Sequence, residues 1–126
     1  MRYWIRDEDK TPQGFPLKLL FQIIVQQFGS AIYQLWITRS EGYGLNVNEW
    51  DGILDDQDRI LVDPELFLNL SSGEEEWFFN LDAEITADSL QVRFGLHDST
   101  ALYIEASEEF ASNVVTSFEQ VTLEGG

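Results

Sequence analysis

After Gly73 the apolar residues recur at every second position. Trp77, Phe79, Leu81, Ala83 and Ile85 alternate with Phe78, Asn80, Asp82 and Glu84; Leu90, Val92, Phe94 and Leu96 alternate with Gln91, Arg93, Gly95 and His97; Leu102, Ile104 and Ala106 alternate with Tyr103 and Glu105. Neighbours on a strand point to opposite faces, so the pattern predicts a three-stranded antiparallel meander. Keeping the apolar positions on one side pairs Ile85 with Leu90 and His97 with Ala101, with connections at Thr86 to Ser89 and Asp98 to Thr100. In that register Arg93 faces Asp82 on one neighbour and Glu105 on the other, and Gly95 lies beside Tyr103, whose ring can cover it.

The N-terminal half has other periods. Arg2 to Arg6 reads as a short strand, and Asp7 to Gly14 as a loop. Pro16 opens a helix whose Leu17, Leu20, Phe21, Ile24 and Phe28 share a face, with Gly29 as its stop. Ala31 to Thr38 reads as a second strand, ending before a turn at Glu41-Gly42-Tyr43-Gly44. Asn48 is placed to cap a short helix through Leu54, with Glu49 and Asp51 in its first turn. Asp63-Pro64-Glu65 starts another helix that ends near Gly73, and Ser107 caps a last one whose Phe110, Val114, Val115, Phe118 and Val121 share a face. The fold class expected is therefore α+β: an antiparallel sheet, the C-terminal meander plus N-terminal strands, packed against a central apolar helix and a C-terminal amphipathic helix.

Length and composition fit one domain spanning 1–126. The chain has nine Phe, four Trp and four Tyr, enough aromatic surface to offset chain entropy on folding. It has no Cys, which removes disulfides, thiolate zinc sites and a Cys nucleophile. The longest apolar-rich run, Leu17 to Val25, is far below the roughly 18 residues of a membrane span, and the N-terminus has no signal-peptide pattern. These features point to a cytoplasmic protein with no membrane partner.

Charge changes the picture most. Of 23 acidic residues, fourteen lie between Glu41 and Asp88, where the only basic residue is Arg59; the net charge of the chain is −16. Direct binding to nucleic acid is disfavoured, because affinity for a phosphate backbone comes from Lys and Arg. A basic protein partner is favoured.

The tests for chemistry are negative. His97-Asp98-Ser99 suggests a triad, but neighbours along a strand cannot converge on one proton path. Calcium loops started at Asn46 or Asp56 fail at the fifth and twelfth positions. Gly42-Tyr43-Gly44 lacks the strand, loop and helix order of a phosphate cradle, and sequence cannot show which carboxylates form a general acid–base pair. No enzyme activity, metal or cofactor is expected.

Several acids have structural uses: Asp82 through Arg93; Glu49, Asp51, Asp63 and Glu65 at helix starts; Glu108 and Glu109 in the last helix's first turn. Asp55, Asp56 and Asp58, with Glu74, Glu75 and Glu76, have none. Tyr43, Trp50, Trp77 and Phe78 lie within or beside these runs. Aromatic anchors ringed by charge make tight interfaces; the alternative for Trp50 and Trp77 is a place in the core. The candidate partner-binding residues are Asp55, Asp56, Asp58, Glu74, Glu75, Glu76, Tyr43 and Trp50.

The short Cys-free chain, its acidic middle from Glu41 to Asp88, and its C-terminal hairpin (Val92 to Glu105) followed by a helix (Phe110 to Val121) together resemble the small acidic immunity proteins that bacteria make against polymorphic or contact-dependent growth inhibition toxins. The resemblance implies stoichiometric inhibition, in the cytosol, of a toxin domain that is often a nuclease with a basic groove. Two alternatives remain open: a nucleic-acid mimic that inhibits a DNA- or RNA-binding protein, and a carboxylate-based enzyme or ligand-binding module.

Overall fold

The computed structural model describes residues 1–88 and 90–124. In chain order the elements are β1 (Arg2–Ile5), α1 (Leu17–Phe28), β2 (Gln34–Tyr43), α2 (Leu45–Leu54), β3 (Ile60–Val62), α3 (Pro64–Leu70), β4 (Trp77–Ala87), β5 (Leu90–His97), β6 (Ala101–Glu105), α4 (Glu108–Val115) and β7 (Val121–Leu123). The strands form one antiparallel sheet in the order β3-β2-β4-β5-β6-β1-β7, and the class is α+β as expected.

The helices cover one face of the sheet. Helix α1 buries Leu17, Leu20, Phe21, Ile24 and Phe28, the five positions that its 3.6-residue period predicts, and Gly29 ends it at a positive φ of 62°. Phe21 stacks on Phe94 at 5.7 Å and meets Phe67 of α3 edge-on at 5.0 Å, joining helix, sheet and α3 in one core. Each such side chain contributes on the order of 1.5–3 kcal/mol by leaving water. Asp63 caps α3 by accepting from the Glu65 N–H at 3.1 Å, and Ser107 caps α4, both at the expected positions.

Between β5 and β6 the register is the expected one: His97 faces Ala101, Gly95 faces Tyr103 and Arg93 faces Glu105. A Cβ on Gly95 would overlap the Leu81 carbonyl and crowd the Tyr103 ring, so only glycine fits. Between β4 and β5 the register differs by two residues. Ile85 faces Val92, and Arg93 faces Glu84 rather than Asp82. A shift of two leaves every side chain on its face, so the apolar pattern cannot resolve it, and running β4 on to Ala87 adds pairs to the ladder. Ser89, of the expected Thr86–Ser89 connection, lies outside the described residues.

Other departures arise from contacts distant in sequence. Strand β2 begins at Gln34 and runs through the expected Glu41–Gly44 turn as far as Tyr43, where Gly42 faces Phe78 so closely that a Cβ would overlap the Trp77 carbonyl. Opposite the Glu41 to Gly42 step, β4 carries an extra residue, Phe79, whose carbonyl instead accepts from the Ser99 N–H at 2.9 Å. That bulge inverts the phase of β4 at its start: Phe78 is buried, while Phe79 is exposed and Trp77 half-buried. From the N-terminal loop, Gln13 reaches the same point. Its side chain accepts from the Phe78 N–H at 2.9 Å and donates to the Phe78 carbonyl at 2.8 Å, as a neighbouring strand would.

Helix α2 starts at Leu45 after Gly44, so Asn48 lies inside it and neither Glu49 nor Asp51 is in its first turn. Strand β3, Ile60-Leu61-Val62, has only three residues, too few to show a period. Helix α4 ends at Val115, and Val121 belongs to β7, paired with Ile5. The chain turns there because the Asp7 carboxylate accepts from the N–H groups of Glu119 at 3.0 Å and Gln120 at 2.7 Å.

Candidate partner-binding surface

The acids selected from sequence fall at the two ends of α2. Gly44 offers no side-chain cap to the helix N-terminus, and the free donors there are met by Glu76 from the start of β4. Its carboxylate accepts from the Val47 N–H at 2.9 Å and from Asn46 Nδ2 at 2.7 Å, and the residue is only 6% exposed. Glu76 thus has a structural use. Glu74 and Glu75, just before it, are exposed, and no donor among the described residues reaches either carboxylate.

At the other end Asp55 is the C-cap, and Asp56 and Asp58 follow in the connection to β3; all three are exposed and unpartnered among the described residues. This is the negative pole of the helix, and its last turn holds no basic residue. A carboxylate there is opposed by about 0.3–1 kcal/mol of dipole repulsion. Ten residues of helix separate the two acidic ends by about 15 Å.

The aromatics divide in the same way. Trp50 is 6% exposed and stacks on Phe78 inside the core, the alternative open to it from sequence. Tyr43 is 57% exposed and stacks on the half-buried Trp77 at 4.4 Å with 19° between the rings. A shallow depression lined by Tyr43, Gly44, Leu45, Asn46, Asn48 and Glu75 opens beside it, and Leu45 is 80% exposed. Leu45 has no sequence signal as an anchor, since it reads as an ordinary helix residue. The structure therefore brings Tyr43 and Glu75 together, with Glu74 next in the chain, and leaves Asp55, Asp56 and Asp58 at the far end of α2.

The sheet face away from the helices carries cross-strand polar pairs. Arg2 binds Glu105 at 2.7 Å and lies 4.4 Å from the Tyr103 ring centre; the Tyr103 hydroxyl donates to Asp82, and Gln91 donates to Glu84. Burial, then the bond to Asp82, pushes the Tyr103 hydroxyl well above the ordinary phenol range. Arg93 sits between Glu84 and Glu105 in register but forms no ion pair within 4.0 Å among the described residues. His97 is exposed, with its ring edge against Trp4 at 5.8 Å. Asp98 and Ser99 turn the chain at positive φ, with the Asp98 N–H held by Asn80 Oδ1 at 2.7 Å.

Among the described residues no cluster of three His, Asp or Glu is placed to hold a metal ion, and no helix is long and apolar enough to cross a membrane. Comparison with protein-family models, curated proteins and solved structures found no match.

Proposed function

We propose that the chain is an immunity-type protein that neutralises a toxin domain, a nuclease with a basic groove, by binding it stoichiometrically through the acidic ends of α2. The observation that carries this reading is the placement of Asp55, Asp56 and Asp58. They are exposed and unpartnered among the described residues, and the helix dipole opposes Asp55 and Asp56. Their carboxylates make no contact among the described residues, whereas a basic groove would engage them. At the other end the Tyr43–Trp77 stack and Leu45 supply apolar anchor area beside Glu75.

Nucleic-acid mimicry requires carboxylates along a track, about one per 3.4 Å on each strand. A nucleic-acid mimic would share this surface, since Glu49 and Asp51 are exposed on α2 between its two acidic ends, and binding of a DNA- or RNA-binding protein in place of a toxin domain would assign it that role.

The test is co-expression and co-purification with any toxin domain found encoded just before this gene, followed by charge reversal of Asp55, Asp56 and Asp58 to Lys. Reversal lowers the association rate for the basic domain by on the order of 10-fold or more at low salt and flattens its salt dependence. Unchanged affinity and salt dependence would remove these residues from the site. Failure of the pair to bind at moderate salt would defeat the reading for that toxin.

A further inference from the structure

Strand β3 is the edge of the sheet, and its outer side has no strand beside it among the described residues. Free edges offer unpaired N–H and C=O groups to any extended chain, and proteins commonly guard them with Lys, Pro or an inward charge. Ile60-Leu61-Val62 carries none of these, so its shortness of three residues is what limits the edge, and Leu61 is 55% exposed. The nearest cation, Arg59, is turned onto the Trp36 ring at 3.7 Å.

Beside this edge lies a shallow groove lined by Tyr33, Asp63 and Pro64 together with Leu61 and Val62. Tyr33, Asp63 and Pro64 also line an open groove of about 1070 Å³, whose walls are Leu19, Ile23 and Val25 of α1 and Leu68 of α3. The edge and the groove are therefore continuous. Carboxylates close both ends of the strand: Asp55, Asp56 and Asp58 precede it, and Asp63 and Glu65 follow it.

We propose that the edge of β3 docks an extended segment of the partner that is apolar at its centre and basic at both ends. This rests on the reading of the chain as an acidic partner-binding protein and names the element through which it binds. The segment pairs its backbone with Ile60 to Val62. Alternate side chains point toward the α1–α3 groove, and its flanking Lys or Arg side chains meet the carboxylates on either side. The backbone pairing supplies affinity, and the groove and the charges supply selectivity.

The probe is the synthetic peptide acetyl-KKVIVKK-amide, titrated at low ionic strength and followed by amide shifts and hydrogen exchange. Two further versions carry N-methyl groups on one or the other alternate set of residues. Strand pairing uses only one set, so one N-methylated version binds about tenfold or more weakly and the other as the parent does, a split of about 1.4 kcal/mol. An acidic counterpart, EEVIVEE, and the Leu61→Lys protein variant also lose binding, and exchange slows at Ile60 to Val62. Equal binding of both N-methylated versions, or shifts confined to Asp55, Asp56 and Asp58, would overturn the docking mode while leaving the acidic-surface reading intact. Absence of saturable peptide binding would overturn it as well. Self-association that Leu61→Lys abolishes would assign the edge to a second copy of the chain, which also overturns the proposal.

Discussion

Glu76 separates structural charge from binding charge, because it lies in an acidic run but is buried. Replacing it by Ala leaves two donors, the Val47 N–H and Asn46 Nδ2, without an acceptor at the start of α2. Hydrogen bonds to a charged group are worth about 1.5–3 kcal/mol each, and an unsatisfied buried donor costs about 1–3 kcal/mol. Asn46 is partly exposed and can turn to water, so the loss falls mainly on Val47 and the helix start. The expected destabilisation is about 3 kcal/mol, a fall in Tm of roughly 10 °C for a chain of this size. Glu76→Gln keeps one acceptor but sets an amide N–H₂ near a donor, and is expected to cost about half as much. Glu74→Ala and Glu75→Ala are expected to stay within about 0.5 kcal/mol, as exposed substitutions do. Urea denaturation at constant m-value measures all four. A Glu76→Ala midpoint matching those of the two exposed variants would refute the capping role.

Tyr103 predicts alkaline sensitivity: its hydroxyl is pushed up in the fold, so its contribution is fully present below the unfolded value near about 10 and is lost as pH rises through the higher folded value, at about 1.4 kcal/mol per pH unit. Urea denaturation on both sides of that onset checks this against Tyr103→Phe, whose slope is reduced to what Tyr33, also raised by burial, contributes; parallel profiles would exclude Tyr103 as the cause. Asp55→Asn with Asp56→Asn relieves repulsion at the α2 C-terminus and is expected to raise stability by about 0.5–2 kcal/mol at low salt while weakening partner binding. A fall in stability would show that these carboxylates serve the fold.

Where the determinants of an element lie within a few residues of one another, the sequence reveals it. Helix α1 declares its buried face through one period, and Asp63-Pro64-Glu65 contains a cap, a first-turn proline and a dipole partner in three positions. Helix α2 is legible in existence but not in its start, because its cap is Glu76, which meets Val47 from 29 positions away. Likewise the turn from α4 into β7 is held by Asp7, which takes the Glu119 and Gln120 amides across 112 positions of sequence. Strand β4 misleads because Trp77, Phe78 and Phe79 are all apolar, so alternation cannot say which of them is inward once a bulge intervenes. The same ambiguity of aromatic residues hid the division between Trp50 in the core and Tyr43 at the surface.

The charge pattern follows from how the acids are used. On the open sheet face Asp82 is held by Tyr103, Glu84 by Gln91 and Glu105 by Arg2, and Arg93 adds positive charge between two of them. Each of these carboxylates is thus used within the protein, and two arginines offset part of their charge. At the ends of α2 the charge is not offset: Glu74 and Glu75 at one end, and Asp55, Asp56 and Asp58 at the other, face solvent without cations of their own, and the one nearby, Arg59, lies against Trp36. Their separation of about 15 Å exceeds the Debye length of about 8 Å at physiological ionic strength. Between them Glu49 and Asp51 are also exposed on α2, so the carboxylates run along the helix and bridge that distance. A partner bound along these carboxylates, as proposed, would pass the β3 edge, because β3 follows directly from the Asp55 to Asp58 end.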